Sequence, residues 1–207
     1  LGGLIGKKSG NYWSVPVLEG IEGHPGSDAM KHFGAAMASF GSSALFHILG
    51  ITPEALHARD LEYLHLPEIQ ITKDEVMGLQ NSYRIAEEVD VIVFSAPQLS
   101  LMEMKSIAEL CDGKKFIKPL LAMTSPQVKP DSDRMGYTAK IENAGGTVFS
   151  GMCFYQSYAR EIAEANGWKV LATNSAKIVN ILGGYGYTPM LASMEDCVNA
   201  AVTGRLN

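Results

Sequence analysis

The chain has 207 residues, 46% hydrophobic and 19% charged, with a net charge of −5. That is enough apolar material for one large domain or two small ones, and the acidic balance argues against a general nucleic-acid binder. No apolar run is long enough to span a bilayer, and no basic-then-apolar signal opens the chain.

Leu1 stands where a starting Met is expected, so the chain is expected to be a piece of a longer protein or a processed one. The three cysteines, Cys111, Cys153 and Cys197, are odd in number and far apart. They make no secreted disulfide framework, and a cytoplasmic, reducing setting is expected. With no CxxC pair, any metal site has to be assembled from distant segments.

Leu1–Gly10 is rich in glycine and lysine and is assigned no element. Trp13–Leu18 is predicted as a strand that Pro16 confines to an edge. Glu19–Ser27 is a loop, either a connector or a substrate or partner loop carrying His24. Asp28 is the expected N-cap of a helix from Ala29 to Phe40, whose Gly34, Ala35, Ala36 and Ala38 imply close packing. After the break at Gly41-Ser42-Ser43, Ala44–Leu49 is a short strand containing His47, which alone reads as a hydrogen-bonded core histidine. Thr52 and Pro53 open a short helix, and Leu61–Gln70 is extended. Thr72 and Glu75 form a capping box for a helix that puts Val76, Leu79, Tyr83 and Ala86 on one face.

Asp90–Phe94 is a buried-type strand ending in Ser95-Ala96-Pro97-Gln98-Leu99-Ser100. Ser100, with Glu103 three residues on, caps a helix through Leu110. Lys114–Met123 holds the next strand, which Pro119 makes irregular or places at an edge, and Ser132 or Asp133 opens a helix to Asn143. Thr147–Phe149 is a strand with Cys153 just past its end, followed by a helix Tyr158–Ala165 that Asn166-Gly167 closes. Trp168–Ala172 is a strand and Ser175–Ile181 a helix, followed by a turn at Gly183–Tyr187. Ser193 caps the last helix, Met194–Thr203, which Gly204 ends.

This alternation predicts an α/β fold with a parallel or mostly parallel sheet covered by helices on both faces, with a possible division into 1–70 and 71–207. VIVFSAPQLS, FIKPLLAMTS, GTVFSGMC and WKVLATNS are each an apolar run ending in small polar residues. In open α/β sheets ligands bind at such strand ends. Thr173-Asn174-Ser175, followed by free backbone N–H groups of a new helix, suits an anionic oxygen, and Lys177 adds positive charge. There is no Walker-type loop, and no G-x-G-x-x-G at a strand–helix junction.

Five segments in order, GSSALFHILGITPEA, VDVIVFSAPQLSLMEMKSIAEL, IENAGGTVFSGMC, VLATNSAK and SMEDCVNAAVTGRL, resemble the later part of the large, catalytic polypeptide of the aconitase X family. The resemblance covers nearly the whole chain. It implies an aconitase-like fold and a hydro-lyase that dehydrates a small hydroxy acid, such as mevalonate 5-phosphate or cis-3-hydroxy-L-proline. It also implies an iron–sulfur cluster acting as a Lewis acid and held by thiolates from separate segments. Cys153 matches the position after the AGG strand and is the cluster-ligand candidate, its alternative being a buried thiol. Thr173, Asn174, Ser175 and Lys177 match the segment that holds the substrate carboxylate or phosphate; Lys177 and Ser175 are also the catalytic candidates. The alternative for Lys177 is a plain surface lysine. Ser42, Ser43 and His47 match a further substrate-binding segment, and Cys111 and Cys197 read as structural.

The chain departs from the family pattern at two places. Ala96-Pro97-Gln98 stands where many members have Cys-Pro-His or Thr-Pro-His, and Asn180-Ile181 where a His-Tyr pair is usual. The upstream segment, with its own cysteine motif, and the small swivelling domain or subunit lie outside this sequence, so the chain is expected to be inactive alone. The other reading is a divergent, non-catalytic α/β binding or structural module whose cluster site has decayed. Neither reading involves nucleic acid or membrane.

Overall fold

The structure is a computed structural model that describes residues 1–55, 63 and 65–206. The chain divides into two compact units, Leu1–Leu79 and Gln80–Asn207.

The first unit opens with a helix that the composition of its segment conceals. α1 (Gly2–Ser9) packs against α2 (Ser27–Gly41) with glycine at the points of closest approach. A Cβ at Gly2 would lie 2.4 Å from the Phe33 carbonyl oxygen, and one at Gly41 only 1.8 Å from the Gly6 carbonyl oxygen. The glycines are therefore spent on backbone contact, and packing overrides their low helix propensity. α2 begins at Ser27 behind Gly26, two residues earlier than the Asp28 cap predicted; Asp28 lies in the first turn and pairs with Lys31 at 3.2 Å. The predicted strands at Trp13–Leu18 and Ala44–Leu49 shrink to β1 (Val17–Leu18) and β2 (His47–Ile48), which pair in parallel. Thr52 and Pro53 start one 3-10 turn, Pro53–Ala55. The continuation of that helix and the start of the predicted extended stretch Leu61–Gln70 lie outside the described residues. Ile5, Leu18, Met37 and Ile48 form the core. α3 (Lys73–Asn81) carries the predicted capping box: Thr72 N donates to Glu75 Oε2 at 2.9 Å and Glu75 N to Thr72 Oγ1 at 3.2 Å.

The second unit is a five-stranded parallel sheet. Its strands are β3 (Val91–Leu99), β4 (Leu120–Thr124), β5 (Thr147–Ser150), β6 (Val170–Thr173) and β7 (Thr188–Leu191), in the order β5-β4-β3-β6-β7. α4 (Leu101–Leu110), α6 (Tyr137–Ala144) and α9 (Met194–Thr203) cover one face; α7 (Ala159–Asn166) and α8 (Ala176–Leu182) cover the other. The alternation of side chains along β3 feeds both cores: Ile92 and Phe94 join the first and Val91 and Val93 the second, all fully buried. A strand buried on both faces reads as a continuous apolar run. Parallel pairing with helices on both faces agrees with the fold expected from the sequence.

Three details differ from expectation. β3 runs on to Leu99 through a register irregularity after Phe94. The helix expected from Ser132 or Asp133 is two helices, α5 (Lys129–Arg134) and α6, because Gly136 takes the left-handed conformation between them, with φ 76°. β7 has no expected counterpart; its Pro189 is tolerated because the strand lies at the sheet edge. Among the described residues no helix is long and apolar enough to cross a membrane.

Candidate functional site

Successive connections from β3 run outward through β4 to β5, and the chain then returns to add β6 on the other side of β3. The strand order thus reverses between β3 and β6, the position at which open α/β sheets bind ligands beyond their carboxyl ends. The polar strand ends singled out from the sequence converge there. Thr173 closes β6 and is fully buried, with Asn174 and the α8 cap Ser175 directly after it.

Ser175 is engaged on both sides. Its hydroxyl donates to the Ala96 carbonyl at 2.7 Å and accepts from Ile178 N–H at 3.3 Å, while its own N–H donates to Thr173 Oγ1 at 3.2 Å. Part of the backbone N–H set expected to face an anion is therefore already used inside the turn. Lys177, half-buried on α8, places Nζ 5.7 Å from the centroid of the Tyr155 ring.

Cys153 lies on the turn after β5, next to a one-turn helix, Phe154–Gln156. Ser95 of β3 fixes that turn: its Oγ accepts from Phe154 N–H at 3.1 Å and donates toward Cys153 Sγ at 3.9 Å. Gln98, standing where the family pattern has histidine, donates from Nε2 to the Met152 carbonyl at 3.2 Å. Ser157 donates to the Cys153 carbonyl at 2.8 Å. The sequence marked Ser95 as a strand-end residue but gave no signal that it meets a cysteine 58 positions later. Tyr155 likewise went unmarked.

Left-handed backbone at non-glycine residues carries strain, and such strain clusters at functional sites. Among the described residues it occurs at Ser42, Ala96 and Tyr158, with φ of 58°, 42° and 58°. Ala96 ends the apolar run of β3, and Tyr158 follows the Cys153 turn.

Ser42, Ser43 and His47 belong to the first unit. Ser42 is exposed at the C-terminus of α2, Ser43 is buried, and His47 lies in β2. Ser43 Oγ and His47 Nδ1 are the two buried side-chain polar atoms without a hydrogen-bond partner among the described residues. An orphaned buried polar group costs about 1–3 kcal/mol, so both atoms are suited to accept or donate to an added ligand.

The thiols fall into two kinds. Cys111 and Cys197 lie in the core under α4, α6 and α9, and burial pushes both well above the usual thiol range, Cys111 to about 11. Cys153 alone is partly exposed. Among the described residues no group of three or more His, Cys, Asp or Glu side chains can hold a metal ion. Among the described residues one thiol is therefore accessible, fewer than the several thiolates that hold an iron–sulfur cluster. Lys114 and Lys115 are engaged elsewhere, donating to Asn199 Oδ1 at 2.9 Å and the Asn143 carbonyl at 2.6 Å, beyond the amino end of β4.

Comparison with known proteins agrees with this architecture. A family model described as aconitase X second domain matches residues 1–80, and one described as aconitase X third domain matches residues 89–203. The chain belongs to the aconitase X family. The phosphomevalonate dehydratase large subunit of Methanocaldococcus jannaschii is 36% identical over 179 residues, covering 86% of this chain and 43% of that protein. The cis-3-hydroxy-L-proline dehydratase of Pseudomonas aeruginosa is 28% identical, covering 92% of this chain and 34% of that protein. The crystal structure of Thermococcus kodakaraensis aconitase X in its holo-form superposes with a TM-score of 0.84 at 30% identity, covering 97% of this chain and 50% of that one. The chain spans half or less of the length of these relatives.

Proposed function

We propose that this chain forms the second and third domains of an aconitase X-type hydro-lyase, a dehydratase of a small hydroxy acid. The observation that carries the reading is the convergence of β3, the Cys153 turn and the β6–α8 turn at one switch point, in a chain whose relatives are named dehydratases. In this reading Lys177 supplies the positive charge that receives a substrate carboxylate or phosphate, assisted by Asn174. Thr173 and Ser175 hold the turn that presents them, Ser175 through its bonds to Ala96 and Ile178. Ser42, Ser43 and His47 are proposed as substrate contacts of the first unit, supported by the two orphaned atoms of Ser43 and His47.

Cys153 is proposed as one ligand of an iron–sulfur cluster, the remaining ligands coming from segments outside this chain. One thiol does not hold a cluster, so the contribution of the chain itself is to bind and orient the substrate. An upstream aconitase X segment and a small swivelling domain or subunit are the proposed partners, and the cytoplasm the proposed setting.

The test combines the chain with that upstream segment and small domain, reconstitutes the assembly anaerobically with iron and sulfide, and reads visible absorbance and dehydration. Mevalonate 5-phosphate and cis-3-hydroxy-L-proline are the two substrates to compare. Absorbance that appears in the native assembly and is lost with Cys153→Ala supports the ligand assignment. A complete assembly that forms no cluster and dehydrates neither compound would leave the binding-module reading in its place, which the engagement of Gln98 with Met152 already suits.

A further inference from the structure

A lysine at a site that must receive an anion has to stay charged and keep its N–H donors free. A carboxylate neighbour defeats this, because it neutralises the ammonium and occupies the donors. The face of an aromatic ring does not: its quadrupole attracts the cation within about 6 Å without adding negative charge. Lys177 is in the second situation. Its Nζ lies 5.7 Å from the Tyr155 centroid, and among the described residues no carboxylate pairs with it.

Tyr155 is itself held from two sides. It belongs to the turn Phe154–Gln156, which the Phe154 N–H to Ser95 Oγ bond and the near-complete burial of Phe154 pin to the sheet. Behind it stands the Tyr185 ring, edge-on at 6.5 Å between centroids. Arg160 covers Tyr185 at 5.9 Å and donates to the Gly184 carbonyl at 3.0 Å. Arg160, Tyr185, Tyr155 and Lys177 thus form a row that begins and ends on a cation and contains no acid.

We propose that Tyr155 is a positioning residue whose ring face seats the Lys177 ammonium beside the Cys153 turn without pairing it to a negative group, with Tyr185 and Arg160 bracing the ring from behind. This rests on the reading of Lys177 as the anion contact. The ring face is the working part, so the phenol hydroxyl is dispensable and the aromatic ring is not.

The test uses the full chain with its lysines reductively methylated with carbon-13, a modification that keeps their charge. The Lys177 resonance, identified by its loss in Lys177→Arg, is displaced upfield by the ring in the native chain and in Tyr155→Phe. In Tyr155→Leu it returns to the position of solvent-exposed lysines. Titration of the unmethylated chain with mevalonate 5-phosphate, in which Lys177 keeps all its N–H donors, gives an apparent Kd that is within about twofold of native for Tyr155→Phe and about tenfold weaker for Tyr155→Leu. If Tyr155→Leu fails to fold, Tyr185→Leu and Arg160→Gln test the brace, each weakening binding about threefold. Equal binding by the native chain, Tyr155→Leu and the brace variants overturns the positioning role and leaves the anion role of Lys177 intact. Equal binding of mevalonate 5-phosphate by the unmethylated native chain and Lys177→Ala overturns the anion role, and the positioning role with it.

Discussion

Ser175 donates its hydroxyl proton to the carbonyl oxygen of Ala96 across 2.7 Å, joining residues 79 positions apart and locking the end of β6 to the end of β3. The Ser175 hydroxyl oxygen also accepts from Ile178 N–H and so caps α8, and one buried side chain serves two elements. Both bonds are lost together when the hydroxyl is removed.

Ser175→Ala is therefore expected to destabilise the second unit by about 2–3 kcal/mol, combining a lost helix cap with a buried carbonyl left unpaired. Urea unfolding followed by far-ultraviolet circular dichroism measures it. A change within about 0.5 kcal/mol, the ordinary size for a surface substitution, contradicts the locking role.

The contact of α1 with α2 predicts opposite outcomes for two glycine-to-alanine changes. Gly41→Ala puts a Cβ 1.8 Å from the Gly6 carbonyl oxygen and forces the helices apart, which is expected to cost about 3 kcal/mol or more. Gly78→Ala, in α3, meets nothing within 4 Å and is expected to stabilise by about 0.5–1 kcal/mol through helix propensity. Thermal melts of the two variants beside the native chain decide the matter by their signs.

Cys153 is the partly exposed thiol, while Cys111 and Cys197 are buried. At pH 8 a disulfide reagent such as Ellman's is expected to modify one thiol rapidly in the folded chain, and that fast phase is expected to vanish in Cys153→Ala. Three thiols reacting at one rate would contradict the burial of the other two.

Alkaline pH acts on the same burial. Burial raises the Cys111 thiol from 9.0 to about 11 and the Tyr187 phenol from 10.0 to about 12, and moves the Cys197 thiol in the same direction. In the unfolded chain these groups ionise at their ordinary values, so above those values the unfolded state binds fewer protons than the folded state and gains on it. Stability is expected to hold below pH 9 and to fall as pH rises from 9.0 toward about 11. Urea midpoints measured between those limits test it, and Cys111→Ser is not a clean control because it buries a hydroxyl in the apolar core.

The caps were legible in the sequence because their partners are three residues apart. Thr72 with Glu75, Ser100 with Glu103 and Ser193 with Asp196 all form as their spacing suggests. The continuous apolar run of β3 and its alternation with helices likewise announced a parallel sheet buried on both faces, and the motifs carried the family resemblance. What the sequence hid depends on partners distant along the chain. α1 forms because Gly2 and Gly6 meet the backbone of α2, a contact that no propensity encodes. β7 exists because the sheet offers it a neighbour, although Pro189 counts against a strand. The candidate site follows the same division: Cys153, Thr173 and Ser175 are visible as polar residues at strand ends, but only the strand order, which seats β6 beside β3 rather than beside β5, turns Ser175 onto Ala96. Only the turn after β5 carries Cys153 to Ser95 and sets Tyr155 under Lys177. Hydrogen bonding to near neighbours is written in local sequence, whereas the register and order of strands arise from burying both faces of the whole sheet at once.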